Sequence, residues 1–174
     1  VNPIEEGFDI AIGGLPVAYP HVVDIALCPL PRQLIAAPAY LDRRGRPAHP
    51  RDLVTHDCII FTASGPRWSF AGPQGEEIVV EVNSVFSATD SQVLLKAAQQ
   101  GIGIAIMAEH LAREALAAGT VEAVLTPFGV PDLLLKAMVP ETRLSSPAVR
   151  SLVDAFVAAS APVAPWDRAA PQAA

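Results

Sequence analysis

Hydroxyl side chains stand directly before a predicted helix over residues 91–100, where they could contribute to a binding site. Ser87 and Thr89 precede that helix, and the free N–H groups of its first turn could hold a carboxylate together with these hydroxyls. Asp90 argues the other way, because its charge would cap the helix and repel an anion. Thr89 is therefore either a ligand contact or a plain helix cap.

A second hydroxyl pair, Thr62 and Ser64, follows an apolar run that begins at Cys58. Thr62 is either a ligand contact or a strand-end hydroxyl that bonds to a neighbouring loop. Ser64 does not form a nucleophile elbow, because the glycine needed two residues earlier is replaced by Thr62. These residues indicate binding rather than nucleophilic catalysis.

The remaining reactive residue types form no catalytic or metal-binding pattern. Histidine occurs four times without metal-ligand spacing, at His21, His49, His56 and His110. His56 is expected to cap or pack a loop near Asp57. Gly101-Ile102-Gly103 follows a predicted helix and opens a strand, the reverse of a phosphate-binding loop. We therefore expect no enzyme activity and no cofactor.

These residues are positioned by predicted strands that alternate with helices. The strands are predicted over 8–12, 22–27, 33–37, 58–62, 67–70, 77–82, 102–106 and 133–139. Gly72-Pro73-Gln74-Gly75 predicts a hairpin between the strands at 67–70 and 77–82. The helices are predicted over 38–43, 91–100, 109–118 and from Pro147 onward, the last capped by Ser146 with Val149, Leu152, Val153, Phe156 and Val157 on one face. The 8–12 strand is expected to be buried, and either Trp68 or Phe70 to pack while the other faces outward. This order predicts an α/β fold with an open mixed sheet.

Several motifs along the chain resemble, in family order, the effector-binding domain of LysR-type bacterial transcriptional regulators. The motifs are Glu5-Glu6-Gly7-Phe8-Asp9-Ile10-Ala11-Ile12, Ala37-Pro38-Ala39-Tyr40-Leu41-Asp42-Arg43-Arg44-Gly45-Arg46-Pro47, Pro50-Arg51-Asp52-Leu53, His56-Asp57-Cys58-Ile59, Trp68-Ser69-Phe70, Ala88-Thr89-Asp90-Ser91, Gly101-Ile102-Gly103-Ile104-Ala105 and Ser145-Ser146-Pro147-Ala148-Val149-Arg150. The resemblance covers roughly residues 4 to 160. It implies a two-lobe fold like that of type 2 periplasmic binding proteins, with a first lobe that is incomplete and a DNA-binding winged helix-turn-helix that lies upstream.

The resemblance also implies a domain division and a site. Residues 1–29 and 138–160 correspond to lobe I, and residues 30–137 to lobe II. Residues 161–174 are rich in alanine and proline and show no periodic pattern, so their composition predicts a flexible tail. A small organic effector would bind between the lobes. Many relatives carry an arginine where this chain has Gly13 and Gly14, which favours a less acidic or more apolar effector. The predicted effector contacts are Gly13, Gly14, Phe61, Thr62, Ser64, Ser87, Thr89 and Ile102.

Composition and charge agree with a sensor that does not itself touch DNA. The 174 residues are 51% hydrophobic and carry a formal net charge of −6, a poor match to the phosphate backbone. Two cysteines, Cys28 and Cys58, are expected to be reduced and buried. We expect a soluble, cytoplasmic protein that does not contact a membrane, reaches DNA only through its missing N-terminal domain and forms a homodimer or homotetramer. A two-lobe solute-binding protein of a transport system is the alternative.

Overall fold

The computed structural model describes residues 1–161 and 164–167, which divide between two compact units. The first unit contains Val1–Leu30 and the chain from Asp132 onward, and the second contains Pro31–Pro131. The chain returns to the first unit earlier than the predicted residue 138, because the last strand, Leu133–Pro140, hydrogen-bonds along its whole length to a strand of that unit.

The described part of the chain contains ten strands and four α-helices. The strands are β1 Ala11–Gly13, β2 Val22–Leu30, β3 Arg32–Ala36, β4 Cys58–Phe61, β5 Arg67–Ala71, β6 Glu77–Glu81, β7 Ser84–Ala88, β8 Ile104–Ala108, β9 Glu122–Val124 and β10 Leu133–Pro140. The helices are α1 Pro38–Arg44, α2 Ser91–Gln99, α3 Glu109–Ala117 and α4 Pro147–Ser160. The predicted α/β class with mixed sheets is confirmed.

The second unit is built on a five-stranded mixed sheet in the order β7-β4-β8-β3-β9. Strand β4 runs parallel to both β7 and β8, whereas β3 is antiparallel to β8 and β9. Each face of the sheet covers a separate buried cluster, because successive side chains of a strand point to opposite faces. Ile60 points into one cluster with the β5–β6 hairpin, and Ile59 points into the other, with α2 and α3.

Local sequence signals explain the boundaries of several of these elements. Pro38 starts α1 at the position where a missing N–H costs nothing, and Gly45 ends it with a φ of +86°. Gly119, at φ +66°, follows α3 as predicted. Of the apolar residues Val93, Leu94, Ala97 and Ala98, which the sequence predicts on one face of α2, the last three are buried, whereas Val93 is 45% exposed.

The hairpin of β5 and β6 is confirmed, but the prediction for its aromatic residues is wrong. Trp68 and Phe70 are both buried, at 5% and 1% exposure, since residues two apart on a strand share a face. Their sequence neighbours Arg67 and Ser69 take the other face. The hairpin therefore contributes two large aromatic side chains to the core.

The first unit contains a three-stranded antiparallel sheet in the order β1-β10-β2. Helix α4 packs against it through Val149 and Val153, which meet Val139 of β10. The predicted buried strand at 8–12 is wrong in both extent and burial, because β1 is a short edge strand and Phe8 and Ile12 are about half exposed.

Two further predictions about α4 need correction. Ser146 occupies the N-cap position, but its side chain makes no capping hydrogen bond. Leu152 is 48% exposed, so the apolar stripe is wider than the face that the helix buries.

Two strands were not predicted from the sequence. Strand β7 was read only as the entry to α2, and β9 is three residues long, too short for a periodic pattern. The flexible tail predicted over 161–174 lies largely outside the described residues, although Pro165–Asp167 forms a 3-10 turn. Among the residues that the structure describes, no helix is long and apolar enough to cross a membrane.

Candidate functional site

The carboxyl ends of β4 and β7 meet at one edge of the second unit's sheet. Phe61 pairs with Ala88, and the Thr62 amide donates to the Ala88 carbonyl at 2.9 Å. The residues that follow each strand end are therefore neighbours across one parallel pair. The sequence predicted both segments, and the structure brings them together.

Four hydroxyl-bearing residues in these two segments are exposed. They are Thr62, Ser64, Ser87 and Thr89. Within the described part of the chain, none of these hydroxyls makes a hydrogen bond, although neighbouring backbone amides are hydrogen-bonded. The prediction that the Thr62 hydroxyl bonds to a neighbouring loop is therefore wrong. Each hydroxyl is available to donate to a bound molecule and to accept from it.

A tight turn after β4 holds Ser64 in place. The Ser64 and Gly65 amides both donate to the Phe61 carbonyl, at 2.9 and 3.3 Å. Gly65 has a φ of +67°, a conformation that glycine adopts without strain. Phe61 is half-buried and packs on the cluster beneath α2, so it forms a fixed apolar side of this edge.

Helix α2 begins at the same edge, and Asp90 is its N-cap. The Asp90 Oδ1 atom accepts from the Gln92 amide at 2.7 Å and from the Val93 amide at 3.3 Å. The prediction that free N–H groups here could hold a carboxylate is therefore wrong for these two amides, which Asp90 already occupies. The plain-cap reading of Thr89 is also wrong, because Asp90 takes that role.

Ile102 does not lie with the other predicted contacts. It precedes β8, whose first residue Ile104 pairs with Cys58 and donates its amide to the Asp57 carbonyl at 2.9 Å. Since β4 and β8 are parallel, Ile102 lies at the amino ends of the strands, at the opposite edge of the sheet from Thr62. It is 42% exposed there.

Gly13 and Gly14 belong to the first unit, at the end of β1. A Cβ atom at Gly14 would lie 2.8 Å from Cδ1 of Leu30, so this position is closely packed. Gly13 pairs with Lys136, a residue that sequence reasoning missed although it is the single charge in the apolar run of β10. Lys136 is buried, and its Nζ lies 2.5 Å from Asp24 Oδ2 and 2.6 Å from the Val17 carbonyl.

A buried polar cluster lies at the amino edge of the second unit's sheet. The Tyr40 hydroxyl accepts from the Asp57 amide at 2.8 Å and lies 3.2 Å from His56 Nδ1. Burial lowers the pKa of His56, and the nearby Arg44 guanidinium lowers it further. The predicted packing role of His56 near Asp57 is confirmed.

The cysteines and metal-ligating residues offer no reactive centre. Cys28 and Cys58 are both free thiols and buried, as predicted, and burial raises the pKa of Cys58 to about 12, which keeps it protonated. In residues 1–161 and 164–167, no three His, Cys, Asp or Glu side chains gather as a metal site would require.

Comparison with known proteins gives the class of domain to which this fold belongs. The chain belongs to the LysR substrate binding domain family, whose model matches residues 1–161. The fold is that of the regulatory domains of LysR-type regulators. It superimposes on the regulatory domain of CrgA from Neisseria meningitidis with a TM-score of 0.73, covering 90% of this chain and 78% of that one at 22% identity.

The relatives that match by sequence are transcriptional regulators. An uncharacterized HTH-type transcriptional regulator of Escherichia coli, YcaN, is 27% identical over 88% of this chain and 51% of its own length. A probable HTH-type transcriptional regulator of Klebsiella pneumoniae, LtrA, is 33% identical over 70% of this chain and 40% of its own length. The chain thus spans about half of these regulators or less, and the comparisons do not favour the transport alternative.

Proposed function

We propose that this chain senses a small organic effector at the carboxyl edge of β4 and β7. Family membership supplies the class of function, a ligand-responsive regulatory domain, and the hydroxyls of Thr62, Ser64, Ser87 and Thr89 supply the contacts. Four exposed hydroxyls that make no hydrogen bond within the described residues are the observation that carries the proposal. Ligands of open α/β sheets bind at the carboxyl ends of strands, which agrees with this position.

Binding rather than catalysis is the proposed chemistry of this edge. The segments 61–66 and 86–92, which carry these hydroxyls, contain no histidine or lysine that could act as a base. Gly13 and Gly14 in the first unit and Ile102 at the amino edge remain predicted contacts from sequence. They are weaker candidates than the four hydroxyls.

We propose further that the chain acts as part of a longer cytoplasmic regulator. The relatives named as HTH-type regulators are about twice its length, so a DNA-binding segment would lie in the part of those proteins that this chain does not span. The net charge of −6 supports DNA contact through that other segment rather than through this one. Such a regulator would assemble as a homodimer or homotetramer.

A thermal-shift screen of small metabolites against the 174-residue chain tests the sensing role. A true effector raises the melting temperature in a concentration-dependent way, because binding stabilises the folded state by about 2.7 kcal/mol at about 100 times Kd. Ser87→Ala should weaken that shift. Ser84→Ala is the matched control, since Ser84 lies at the far end of the same strand, is exposed and makes no hydrogen bond within the described residues.

The two serine variants decide between an edge site and binding elsewhere. Loss of the shift in Ser87→Ala with retention in Ser84→Ala supports the site. Equal shifts in both variants would place the effector away from this edge and contradict the proposal.

A further inference from the structure

We infer that Asp90 is a specificity-determining residue, which selects an effector that carries a hydrogen-bond donor and no negative charge. The inference rests on the proposed function, because it concerns the ligand class of the same edge. Its starting observation is that one oxygen of the Asp90 carboxylate occupies the amides at the start of α2.

Asp90 removes two anion-binding amides from the edge. A helix start attracts anions through its unpaired N–H groups and its positive dipole end. Here the Gln92 and Val93 amides both donate to Asp90 Oδ1, and the carboxylate places a full negative charge in front of the dipole. An incoming carboxylate would have to displace Asp90 or lie beside it, where the two negative charges would repel each other.

Few other charged residues lie at the same edge of the sheet. The segments 61–66 and 86–92 contain Asp90 as their single charged residue. Glu109 follows β8 at this edge and adds a second negative charge. Arg32 lies two strands away on β3, where its Nε donates to the Pro131 carbonyl at 2.9 Å. In the two segments of the β4–β7 pair the charge is therefore negative, whereas Glu109 and Arg32, at the ends of the neighbouring strands, carry opposite charges.

Asp90 also has a carboxylate oxygen that could accept a hydrogen bond from a ligand. Its second oxygen, Oδ2, makes no hydrogen bond within the described part of the chain, and the residue is exposed. This oxygen can accept from an N–H or O–H group of a ligand, and the Ser87 and Thr89 hydroxyls can satisfy that ligand's acceptors. A primary amide or an amine fits this arrangement, whereas a carboxylate does not.

Matched probes test the inference directly. Sets of small molecules that share one scaffold and differ only in a carboxylate, a primary amide or an amine are titrated into the 174-residue chain by calorimetry. The wild type should bind the amide or amine member at least about tenfold more tightly than the carboxylate, given the repulsion between close like charges. The Asp90→Asn variant should lose that preference by a similar factor.

Two features of the design keep the test decisive. Asparagine caps helices about as well as aspartate, so Asp90→Asn keeps α2 intact and removes only the charge. Asp154→Asn on α4 is the control, since it removes one exposed negative charge in the other unit and should leave the preference unchanged.

The outcomes separate this inference from the function on which it rests. Saturable binding with a carboxylate preferred, or a preference that Asp90→Asn leaves unchanged, would overturn the role of Asp90 while leaving effector sensing in place. No saturable binding by any member of any set would overturn the proposed function, and the inference with it.

Discussion

Hydroxyl groups have two different roles in this domain, and the role of each depends on whether it is buried or exposed. The Tyr40 hydroxyl is buried and fully engaged, with the Asp57 amide and His56 as partners. The hydroxyls of Thr62 and Ser87 are exposed and have no partner within the described residues. The first kind of hydroxyl stabilises the fold, whereas the second remains available for a ligand.

Removal of the Tyr40 hydroxyl should destabilise the protein. Tyr40→Phe leaves the Asp57 amide and His56 Nδ1 without this partner in a buried place, at a cost of about 1 to 3 kcal/mol in the free energy of unfolding. Urea unfolding measures the change. Tyr19→Phe is the control, because the Tyr19 hydroxyl makes only an exposed 3.4 Å contact with the chain's amino terminus, and a change within about 0.5 kcal/mol is expected. Equal stability of the two variants would contradict the role given to Tyr40.

His56 should make stability depend on pH just below neutrality. Burial, and then Arg44, lower its pKa in the folded state below the ordinary value of 6.5, so the unfolded chain binds the proton more readily. The free energy of unfolding therefore falls as pH drops below about 6.5 toward the folded-state pKa. Unfolding at pH 7.5 and pH 5.5 should show a smaller pH effect in His56→Gln than in the wild type. An equal pH effect in both proteins would show that His56 is not the group responsible.

Two helices of this domain begin in chemically different ways, although the sequence suggests a capping residue for each. Asp90 accepts from two amides of α2, whereas the Ser146 side chain makes no capping bond to α4. Pro147, which has no N–H group, already occupies the first turn of α4, so one of the usual unpaired amides is absent there.

The two caps should respond differently to truncation. Asp90→Ala should lower the free energy of unfolding by about 1 kcal/mol, because two amides of α2 lose their acceptor. Ser146→Ala should change it by less than about 0.5 kcal/mol. Paired urea titrations give both values. A cost for Ser146→Ala that matches the cost for Asp90→Ala would contradict the hydrogen-bond pattern described for these helices.

Strong periodic signals made most elements predictable from the sequence. Strand β4, the β5–β6 hairpin and helices α1 and α3 were placed to within about two residues by apolar runs, a glycine-rich turn, a leading proline and terminal glycines. Strands β7 and β9 were not predicted, because an edge strand and a three-residue strand need little alternation of apolar and polar residues. The burial of both Trp68 and Phe70 follows from the two-residue repeat of a strand and was available from the sequence.

The candidate site was only partly predictable. The segment around Thr62 was predicted because hydroxyl residues follow an apolar run, and the segment around Thr89 because hydroxyl residues precede a helix start. Ile102 was not separated from them, since its place at the opposite edge depends on the parallel pairing of β4 with β8, which no local pattern encodes. Asp90 was recognised as a possible cap, but its two amide contacts required coordinates.

At the scale of the whole molecule, the second unit has the features of an independent folding unit. It is one continuous segment, Pro31–Pro131, with a five-stranded sheet and a buried cluster on each face. The first unit is assembled from two separate stretches of chain around a three-stranded sheet.

A fragment of residues 31–131 should therefore fold by itself. We expect a single cooperative urea transition together with a near-ultraviolet circular dichroism signal from Trp68, which is buried in the core cluster on the hairpin side of the sheet. A non-cooperative transition or a missing near-ultraviolet signal would show that the second unit requires the rest of the chain.

The central claim is that a small effector binds at the carboxyl edge of β4 and β7, and backbone amide NMR of the intact chain tests it most directly. An effector found by the thermal-shift screen is titrated in, and the perturbed amides are mapped onto the sheet. The account predicts the largest saturable shifts at residues 61–65 and 87–93, with small shifts at Asp57 and Ile104 on the opposite edge. Largest shifts at the amino edge around Ile102, or outside the second unit's sheet altogether, would contradict it.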